Sequence, residues 1–330
     1  FATQVGVLWR YVLLFVLPIE QRLEYDIPLA SDPFSPAVLL AAGAHLAMLA
    51  GALVLWRRAP LVAFAILFFY LAHLVESSVF PITDLAFEHR TYLPNAGLAI
   101  LAALGLLWLT AFANRDLLIA AGAAVALVAL GWLTFERNQL WQDPIAFLQE
   151  DARLSPEKER AWTSLGKELM RRQRFKEALE ALGKALNLGR TEDGLEVSLP
   201  TLLNAVYALH YTGQHRKGFQ LATLIPLNEL SPLDLSRLRE VRGMALAQLR
   251  RPELARRELD RALEAYPNPS TLAWIAYVDL LENKPDAAAE RAAKVLESLP
   301  NHTLARDILA KAKALRNEQA ETSPTQRAGK

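Results

Sequence analysis

The sequence predicts an all-α protein in which a polytopic transmembrane helix bundle is followed by an α-solenoid of repeated helical hairpins. Charges are divided unevenly along the chain. Residues 1–135 hold six Arg, no Lys and eight acidic residues, whereas residues 136–330 hold 30 basic and 27 acidic residues. Long apolar runs fill the first part, and a pattern of paired helices repeats in the second. We therefore expect the first part to lie in lipid and the second in water.

The overall composition excludes several classes of function. The 330 residues carry a net charge of +1, which argues against nucleic-acid binding because affinity for phosphate backbones depends on excess positive charge. There is no cysteine, so disulfide bonds and thiolate metal sites are excluded. The chain starts at Phe1 in an apolar stretch that lacks the features of a secretory signal. We expect it to be the C-terminal part of a longer protein.

Four apolar runs are long enough to cross the hydrocarbon core of a bilayer, which takes about 20 helical residues. They lie at residues 37–56, 61–80, 96–113 and 117–135. A shorter run at residues 3–18 contains Arg10 and two rings, Trp9 and Tyr11, that suit a headgroup boundary. We predict an interfacial helix for this run, with a tilted span as the alternative. Residues 1–135 form the predicted transmembrane domain.

The positions of the arginines predict the orientation of these spans. Arg57, Arg58 and Arg115 lie in connectors on one side, and Arg22 and Arg90 lie on the other. Loops rich in Lys and Arg stay in the cytoplasm, so the side with three arginines is predicted to be cytoplasmic. Everything after residue 135 is then predicted to face away from the cytoplasm, in the periplasm if the protein lies in a bacterial inner membrane.

The second part contains a repeat of paired helices. Trp162, Leu165, Gly166 and Leu169 match the W-x2-L-G-x2-Y opening of a tetratricopeptide (TPR) unit, with Leu in place of Tyr. Further units start near residues 199, 236 and 269, close to the usual period of 34 residues. The unit that starts near residue 199 is degenerate. The rings of Trp162 and Trp274 are predicted to pack in the core.

The repeat pattern sets the predicted domain boundaries. Residues 136–158 are predicted to form a linker and a degenerate half-repeat, and residues 159–316 to form the TPR solenoid. A capping helix at 301–317 would cover the apolar face of the last unit. Residues 317–330 are polar and contain Pro and Gly, so they are predicted to be disordered.

Several stretches of the chain resemble one family of membrane proteins. They are "ESSVFPITDLA" followed by "FEHRTYLPNAGL", the upstream "TQVGVLWRYVLLFVLPIEQRLEYDIPL" and the linker "ERNQLWQDPIAFLQEDARLSP". These resemble the transmembrane-and-TPR-containing proteins and their bacterial relatives. The resemblance implies a GT-C-type membrane domain and protein O-mannosylation from a polyprenyl-phosphate sugar on the non-cytoplasmic face. No residue here corresponds to the acidic catalytic residue of such enzymes, so the catalytic residues stay unknown.

The charged loop contains five candidate site residues, Asp84, Glu88, His89, Arg90 and Tyr92. Sugar transfer from a lipid phosphate needs cations at the leaving phosphate, and the planar fork of Arg binds phosphate oxygens bidentately. We predict Arg90, beside His89, as the lipid-phosphate contact and Tyr92 as a nearby hydrogen-bonding group. Asp84 and Glu88 would hold Arg90 and would share a face if helical. Alternatively, Glu88 and Arg90 form an ion pair that only anchors the loop.

No cofactor is predicted for this chain. A divalent-metal site formed by His73, Glu76 and His89 is the alternative, because His73 and Glu76 lie three residues apart on one helix face. Ionisable groups at membrane depth usually face the interior of a bundle or a cavity.

Three functions compete for this sequence. The first is a polyprenyl-phosphate-sugar-dependent glycosyltransferase, a hexosyltransferase whose TPR domain presents acceptor proteins. The second is a non-catalytic, membrane-anchored TPR scaffold in envelope or pilus assembly. The third is a membrane polymerase or ligase for a lipid-linked glycan. The expected partners are membrane lipid, the polyprenyl-phosphate sugar donor and proteins bound by the TPR units, and no nucleic acid.

Overall fold

The computed structural model describes residues 2–74, 84–113, 116–191, 194–228 and 230–322. The prediction of an all-α fold is confirmed, because the described residues form 15 α-helices. A short 3-10 turn at Glu88–Thr91 and a two-stranded antiparallel pair, β1 (Arg190–Thr191) with β2 (Gly194–Leu195), accompany them. The chain divides into two compact units, Phe1–Ala161 and Trp162–Lys330. Each unit is described separately below.

Six apolar or amphipathic helices make up most of the first unit. They are α1 (Ala2–Val16), α2 (Pro36–Leu55), α3 (Pro60–His73), α4 (Asn95–Ala113), α5 (Asp116–Gln142) and α6 (Pro144–Leu154). Proline opens α2, α3 and α6, where its missing amide hydrogen and fixed φ suit the first helical turn. The Asp143 carboxylate caps α6 by accepting hydrogen bonds from the amides of Ile145 (3.0 Å) and Ala146 (3.3 Å).

Two of these helices, α2 and α5, are long and apolar enough to cross a membrane. The helices α1 and α3 and the fully described part of α4 are apolar but shorter. The side chains of Val125, Leu127 and Val128 on α5 are 69–73% exposed. Exposed apolar surface of this kind marks a site that contacts either another protein or lipid. The polytopic bundle itself stays a prediction.

The first unit differs from the sequence-based expectation at two places. Helix α1 is not anchored at a boundary by Tyr11, because that ring is 2% exposed and packs with Val7 and Tyr25 in a small core. Helix α5 continues to Gln142, so the first part of the predicted linker is helical. The chain contains no proline between the start of that linker and Pro144 that would end the helix earlier. The second predicted span includes residues 75–80, which lie outside the described residues.

Nine helices follow in the second unit, α7 beginning just before its boundary. They are α7 (Glu159–Arg171), α8 (Phe175–Leu188), α9 (Leu199–Tyr211), α10 (His215–Thr223), α11 (Pro232–Gln248), α12 (Pro252–Ala265), α13 (Pro269–Leu281), α14 (Pro285–Ser298) and α15 (Thr303–Thr322). Successive helices pack as hairpins, and α15 packs against the last one. The predicted disordered tail was wrong for residues 317–322, because α15 extends to Thr322.

The turns inside the hairpins repeat the same backbone conformation. A residue with positive φ lies two positions after the first helix of each pair: Gln173, Gly213, Arg250 and Asn283, with φ between 57° and 75°. These positions are 40, 37 and 33 residues apart, which are also the intervals between the predicted unit starts. The backbone conformation therefore repeats at the same intervals as the sequence pattern. The repeat includes the degenerate hairpin of α9 and α10.

One contact between the two helices of the first hairpin, and one in the third, joins residues of complementary size. A Cβ atom on Gly166 would lie 2.5 Å from Cγ of Leu182, and a Cβ on Gly243 would lie 2.5 Å from Cγ of Leu259. Such distances are far below van der Waals contact, so only glycine fits opposite these leucines. In the fourth hairpin the equivalent positions hold Ala276 and Ala292, and both are fully buried.

Candidate functional site

Glu88 of the charged loop binds the segment that follows α1. Its Oε1 accepts hydrogen bonds from the amide of Arg22 (2.5 Å) and the hydroxyl of Tyr25 (2.8 Å). Burial raises the pKa of Glu88, and burial together with the Glu88 charge raises the pKa of Tyr25. The expected pair of Glu88 with Arg90 is not among the contacts between described residues. Glu88 thus anchors one loop to another.

Asp84 takes part in an ion cluster with Arg160 and Glu24. The guanidinium of Arg160 lies 2.6 Å from Asp84 Oδ1, and it binds both oxygens of Glu24 at 2.6 Å. The Glu24 side chain is 7% exposed. The hydrogen bonds to Glu24 raise the pKa of Arg160, so the guanidinium stays charged. No sequence pattern indicates this cluster, because Glu24 and Arg160 are 136 residues apart.

Helix α6 fixes the same segment from another direction. The Asp151 carboxylate accepts hydrogen bonds from the amides of Leu23 (2.6 Å) and Glu24 (3.0 Å). The hydroxyl of Ser155 donates to the carbonyl of Glu24. Burial raises the pKa of Asp151, whereas the two amide donors oppose that rise. The segment around Glu24 is therefore held by α6, by the charged loop and by Arg160.

The other three loop candidates are Arg90, His89 and Tyr92. Arg90 donates to the backbone carbonyl of Asp84 at 2.9 Å, and its guanidinium lies 4.8 Å from the ring centre of Phe87. His89 is exposed and stacks on Phe87 with ring centres 5.0 Å apart, and Tyr92 is 88% exposed. Residues 84–87 are not helical, so the condition under which Asp84 and Glu88 would share a helix face is not met.

The alternative metal site finds no geometric support within the described residues. No group of three potential ligands comes together there. His73 is buried and stacks on Tyr11 with ring centres 5.2 Å apart, and its Nδ1 lies 3.0 Å from the carbonyl oxygen of Phe69. Glu76 lies outside the described residues.

A second candidate site is a groove in the helical repeat, formed by the first helices of successive hairpins. Its volume is about 380 Å³, and it is lined by side chains of α9, α11, α13 and the start of α15. Its principal lining residues are Tyr207, His210, Tyr211, Glu240, Met244, Trp274, His302 and Asp307. We call it the solenoid groove. Trp274 is 9% exposed, so it packs in the core as predicted and also presents part of its ring to this groove.

Glu240 lies at the bottom of the solenoid groove and is 4% exposed. Its Oε1 accepts a hydrogen bond of 3.3 Å from the hydroxyl of Tyr207. Its Oε2 accepts a hydrogen bond of 3.1 Å from the side-chain amide of Asn268 and another hydrogen bond from the hydroxyl of Thr271. Burial raises the pKa of Glu240, and the hydroxyl donors partly offset that rise. Three donors that carry no charge therefore hold a deeply buried acid.

His210 forms part of the wall of the groove. Its ring contacts Trp274 edge-on at 5.4 Å and lies 5.2 Å from the ring of His215. Burial, followed by the nearby His215, lowers the pKa of His210 to about 4. Its Nδ1 is buried without a hydrogen-bond partner within the described residues. The imidazole is therefore neutral at physiological pH.

Among known proteins, only solved structures match this chain. No family model matches the chain, and no curated protein is similar to it. It is similar to MamA (residue 41 to the end) from Desulfovibrio magneticus RS-1, with 15% identity and a TM-score of 0.37 over 48% of this chain and 85% of that one. A TPR protein from Parabacteroides merdae is 16% identical, with a TM-score of 0.42 over 59% and 74%. The TPR protein YrrB is 18% identical, with a TM-score of 0.37 over 56% and 90%.

Proposed function

We propose that this protein is a membrane-anchored TPR scaffold whose solenoid groove binds a segment of a partner protein. The groove carries the proposal, because it combines aromatic surface from Tyr211 and Trp274 with a buried acid, Glu240. Clefts that bind ligands are typically apolar and contain a few well-placed polar groups. The apolar helices α2 and α5 would supply the membrane anchor.

A photo-crosslinking experiment tests this function. Benzoylphenylalanine replaces Tyr211, which is 58% exposed in the groove, and in a matched control it replaces Tyr266, which is 47% exposed and does not line the groove. We expect a protein to be crosslinked from position 211 alone in native membranes. That protein, once purified, should bind the full chain in detergent and should lose about tenfold in affinity with Tyr211→Ala. Equal crosslinking from both positions, or unchanged affinity, would contradict the proposal.

Glycosyl transfer is the more specific function that the family resemblance implies, and it has less support. Of the charged groups in the predicted loop, Asp84 and Glu88 already bind Arg160, Arg22 and Tyr25. Arg90 is the group we propose for a polyprenyl-phosphate contact. In the full-length protein, Arg90→Ala should abolish sugar transfer and Arg90→Lys should restore part of it. Transfer at the normal rate by correctly folded Arg90→Ala would remove this role.

We also propose that the solenoid lies on the non-cytoplasmic side of a bacterial inner membrane. The asymmetric distribution of arginines supports this orientation. Because the chain has no cysteine, a single cysteine can report its side of the membrane. Glu180→Cys on α8 is exposed and should react with an impermeant maleimide in intact spheroplasts. Labelling only in inverted vesicles would reverse the orientation.

A further inference from the structure

Glu240 lacks a positively charged partner although it is almost completely buried. No ion pair involving Glu240 occurs within the described residues. Arg237 lies near enough to act on its charge, but the guanidinium of Arg237 pairs with Asp234, 3.9 Å away. An ionised carboxylate held only by uncharged donors is costly to bury, because those donors do not neutralise its charge. A cation that enters the groove would lower that cost.

One oxygen of Glu240 keeps acceptor capacity for such a cation. Oε2 accepts hydrogen bonds from both Asn268 and Thr271, whereas Oε1 accepts a single long one, 3.3 Å from Tyr207. A carboxylate oxygen accepts two hydrogen bonds at good geometry, so Oε1 keeps acceptor capacity. Glu240 is itself one of the residues that line the groove. A donor arriving through the groove would therefore reach an oxygen that is incompletely satisfied.

The remaining groove surface favours positive charge. The rings of Tyr207, Tyr211 and Trp274 line it, and aromatic faces attract Lys and Arg side chains. Asp307 adds a second acid at an exposed position. None of the described residues that line the groove is Lys or Arg.

We propose that the solenoid groove binds an extended protein segment through a Lys or Arg side chain that pairs with Glu240 and is attracted by Asp307. The proposal rests on the scaffold function and names the chemistry of its partner. The groove extends over four helices, from α9 to α15, so a segment of several residues occupies it better than a single small amine. Nucleic acid and anionic lipid headgroups are excluded as occupants by the acidic lining.

Selection from a peptide library tests the inference. The full chain in detergent is panned against random 12-residue peptides displayed on phage, with Trp274→Ala as the competing groove-damaged protein. We expect wild-type protein to select peptides that share a Lys or Arg at a fixed position and that Trp274→Ala binds poorly. Groove-dependent peptides without basic enrichment would overturn this inference and leave the scaffold function standing. A failure to select any groove-dependent peptide would overturn both.

Charge variants then measure the pairing with the selected peptide. Glu240→Gln keeps the size of the side chain and should weaken binding about 30-fold, because a buried charge pair is lost. Asp307 is exposed, and Asp307→Asn should weaken binding about threefold. Asp286→Asn, 81% exposed and outside the groove, is the matched control and should change affinity less than twofold. Unchanged affinity in Asp307→Asn and in folded Glu240→Gln would overturn the inference. If Glu240→Gln does not fold, Asp307→Asn decides alone.

Discussion

Arg160 and Glu24 form a two-pronged ion pair, with Nε to Oε1 and Nη2 to Oε2 both 2.6 Å. Bidentate pairs of this kind fix orientation as well as distance. The pair connects the first turn of α7 to the segment after α1, and Asp84 joins it from the charged loop. Its main role in the described structure is therefore to hold three distant parts of the first unit together.

Removing this cation should destabilise the first unit. In Arg160→Ala the Glu24 carboxylate, 7% exposed, is left buried without its counter-charge. Loss of one partner of a fully buried pair costs about 3–5 kcal/mol, and the 45% exposure of Arg160 reduces the expected cost to about 2 kcal/mol. Thermal unfolding of the full chain in detergent measures the change. Arg153→Ala is the matched control, because Arg153 makes the same bidentate contact with Glu150 but is 66% exposed. Equal midpoints for both variants would contradict the structural role of Arg160.

Adding one methyl group to Gly166 should destabilise the first hairpin. The new Cβ would lie 2.5 Å from Cγ of Leu182, so Gly166→Ala should cost about 1–3 kcal/mol through overpacking. Gly183→Ala, also in a helix of this hairpin, meets no atom within 4 Å and should stabilise by about 1 kcal/mol through helix propensity. Denaturation of the full chain in detergent would show opposite shifts. The close contact would be disproved by shifts of the same sign.

A double substitution gives a sharper test of the same pair. Leu182→Ala alone leaves a cavity and should cost about 2–5 kcal/mol. Combining it with Gly166→Ala recreates the Ala–Ala arrangement of the fourth hairpin, where Ala276 is fully buried. The double variant should therefore lose less stability than the sum of the two single losses, by about 1 kcal/mol or more. Strict additivity in the double-mutant cycle would count against direct contact.

The positive-φ turns predict opposite effects for two substitutions at equivalent positions. Arg250 has φ 57°, and a non-glycine residue in this region costs about 1 kcal/mol, so Arg250→Gly should stabilise by roughly that amount. Gly213 has φ 75° in open space, so Gly213→Ala should destabilise by a similar amount through backbone strain alone. Chemical denaturation measures both. A stabilising Gly213→Ala would show that the hairpin of α9 and α10 does not share the left-handed turn.

The neutral state of His210 predicts a loss of stability in acid. Its pKa of about 4 lies below the ordinary 6.5, so between these values the unfolded chain takes up a proton that the folded chain does not. Stability should therefore fall as the pH drops from about 6.5 towards 4, by at most about 3 kcal/mol. Because the pKa of Glu240 is raised, this carboxyl changes the stability in the opposite direction as the pH falls. Two further titratable groups, His302 and Asp307, also line the groove.

Comparison with His210→Phe isolates the contribution of this histidine. The variant keeps an aromatic ring beside Trp274 but cannot take up a proton. Unfolding midpoints of the full chain should fall less between pH 7 and pH 5 in His210→Phe than in wild type. If the two proteins have the same pH dependence, the imidazole is not kept neutral by burial.

Exposure of α5 predicts protection by lipid. A cysteine introduced at Val125, which is 69% exposed, should resist a water-soluble maleimide in native membranes and react after denaturation in SDS. Glu180→Cys is the control for reagent access and should react in permeabilised membranes. Rapid labelling of Val125→Cys in membranes would mean that α5 lies in water, and the membrane anchor would have to be abandoned.

Local patterns predicted the repeats well, whereas contacts between distant residues escaped prediction. Gly166 and Trp162 fall at fixed offsets within one unit, so sequence spacing alone locates α7. The pairing of Glu24 with Arg160 joins residues that no periodicity relates. The alternative of an ion pair between Glu88 and Arg90 could be posed from their spacing, whereas the hydrogen bond of Glu88 with Tyr25 joins residues 63 positions apart and could not.

The groove was missed for a related reason. Glu240 has no sequence signal of its own, because its donors Tyr207 and Thr271 are each more than 30 residues away and belong to other hairpins. The buried side of α11 also carries Ser236 and Arg242, so an acid at position 240 does not stand out in the sequence pattern.

The complementary sizes of Gly166 with Leu182 and Gly243 with Leu259 have a consequence for evolution and engineering. Since each small residue and its large partner belong to the same hairpin, a whole hairpin can be duplicated or exchanged without disturbing that fit. Transplanting one helix alone would bring together two bulky residues or leave a hole. The inherited building block of this array is therefore the helix pair, and lengthening the solenoid is expected to proceed in steps of two helices.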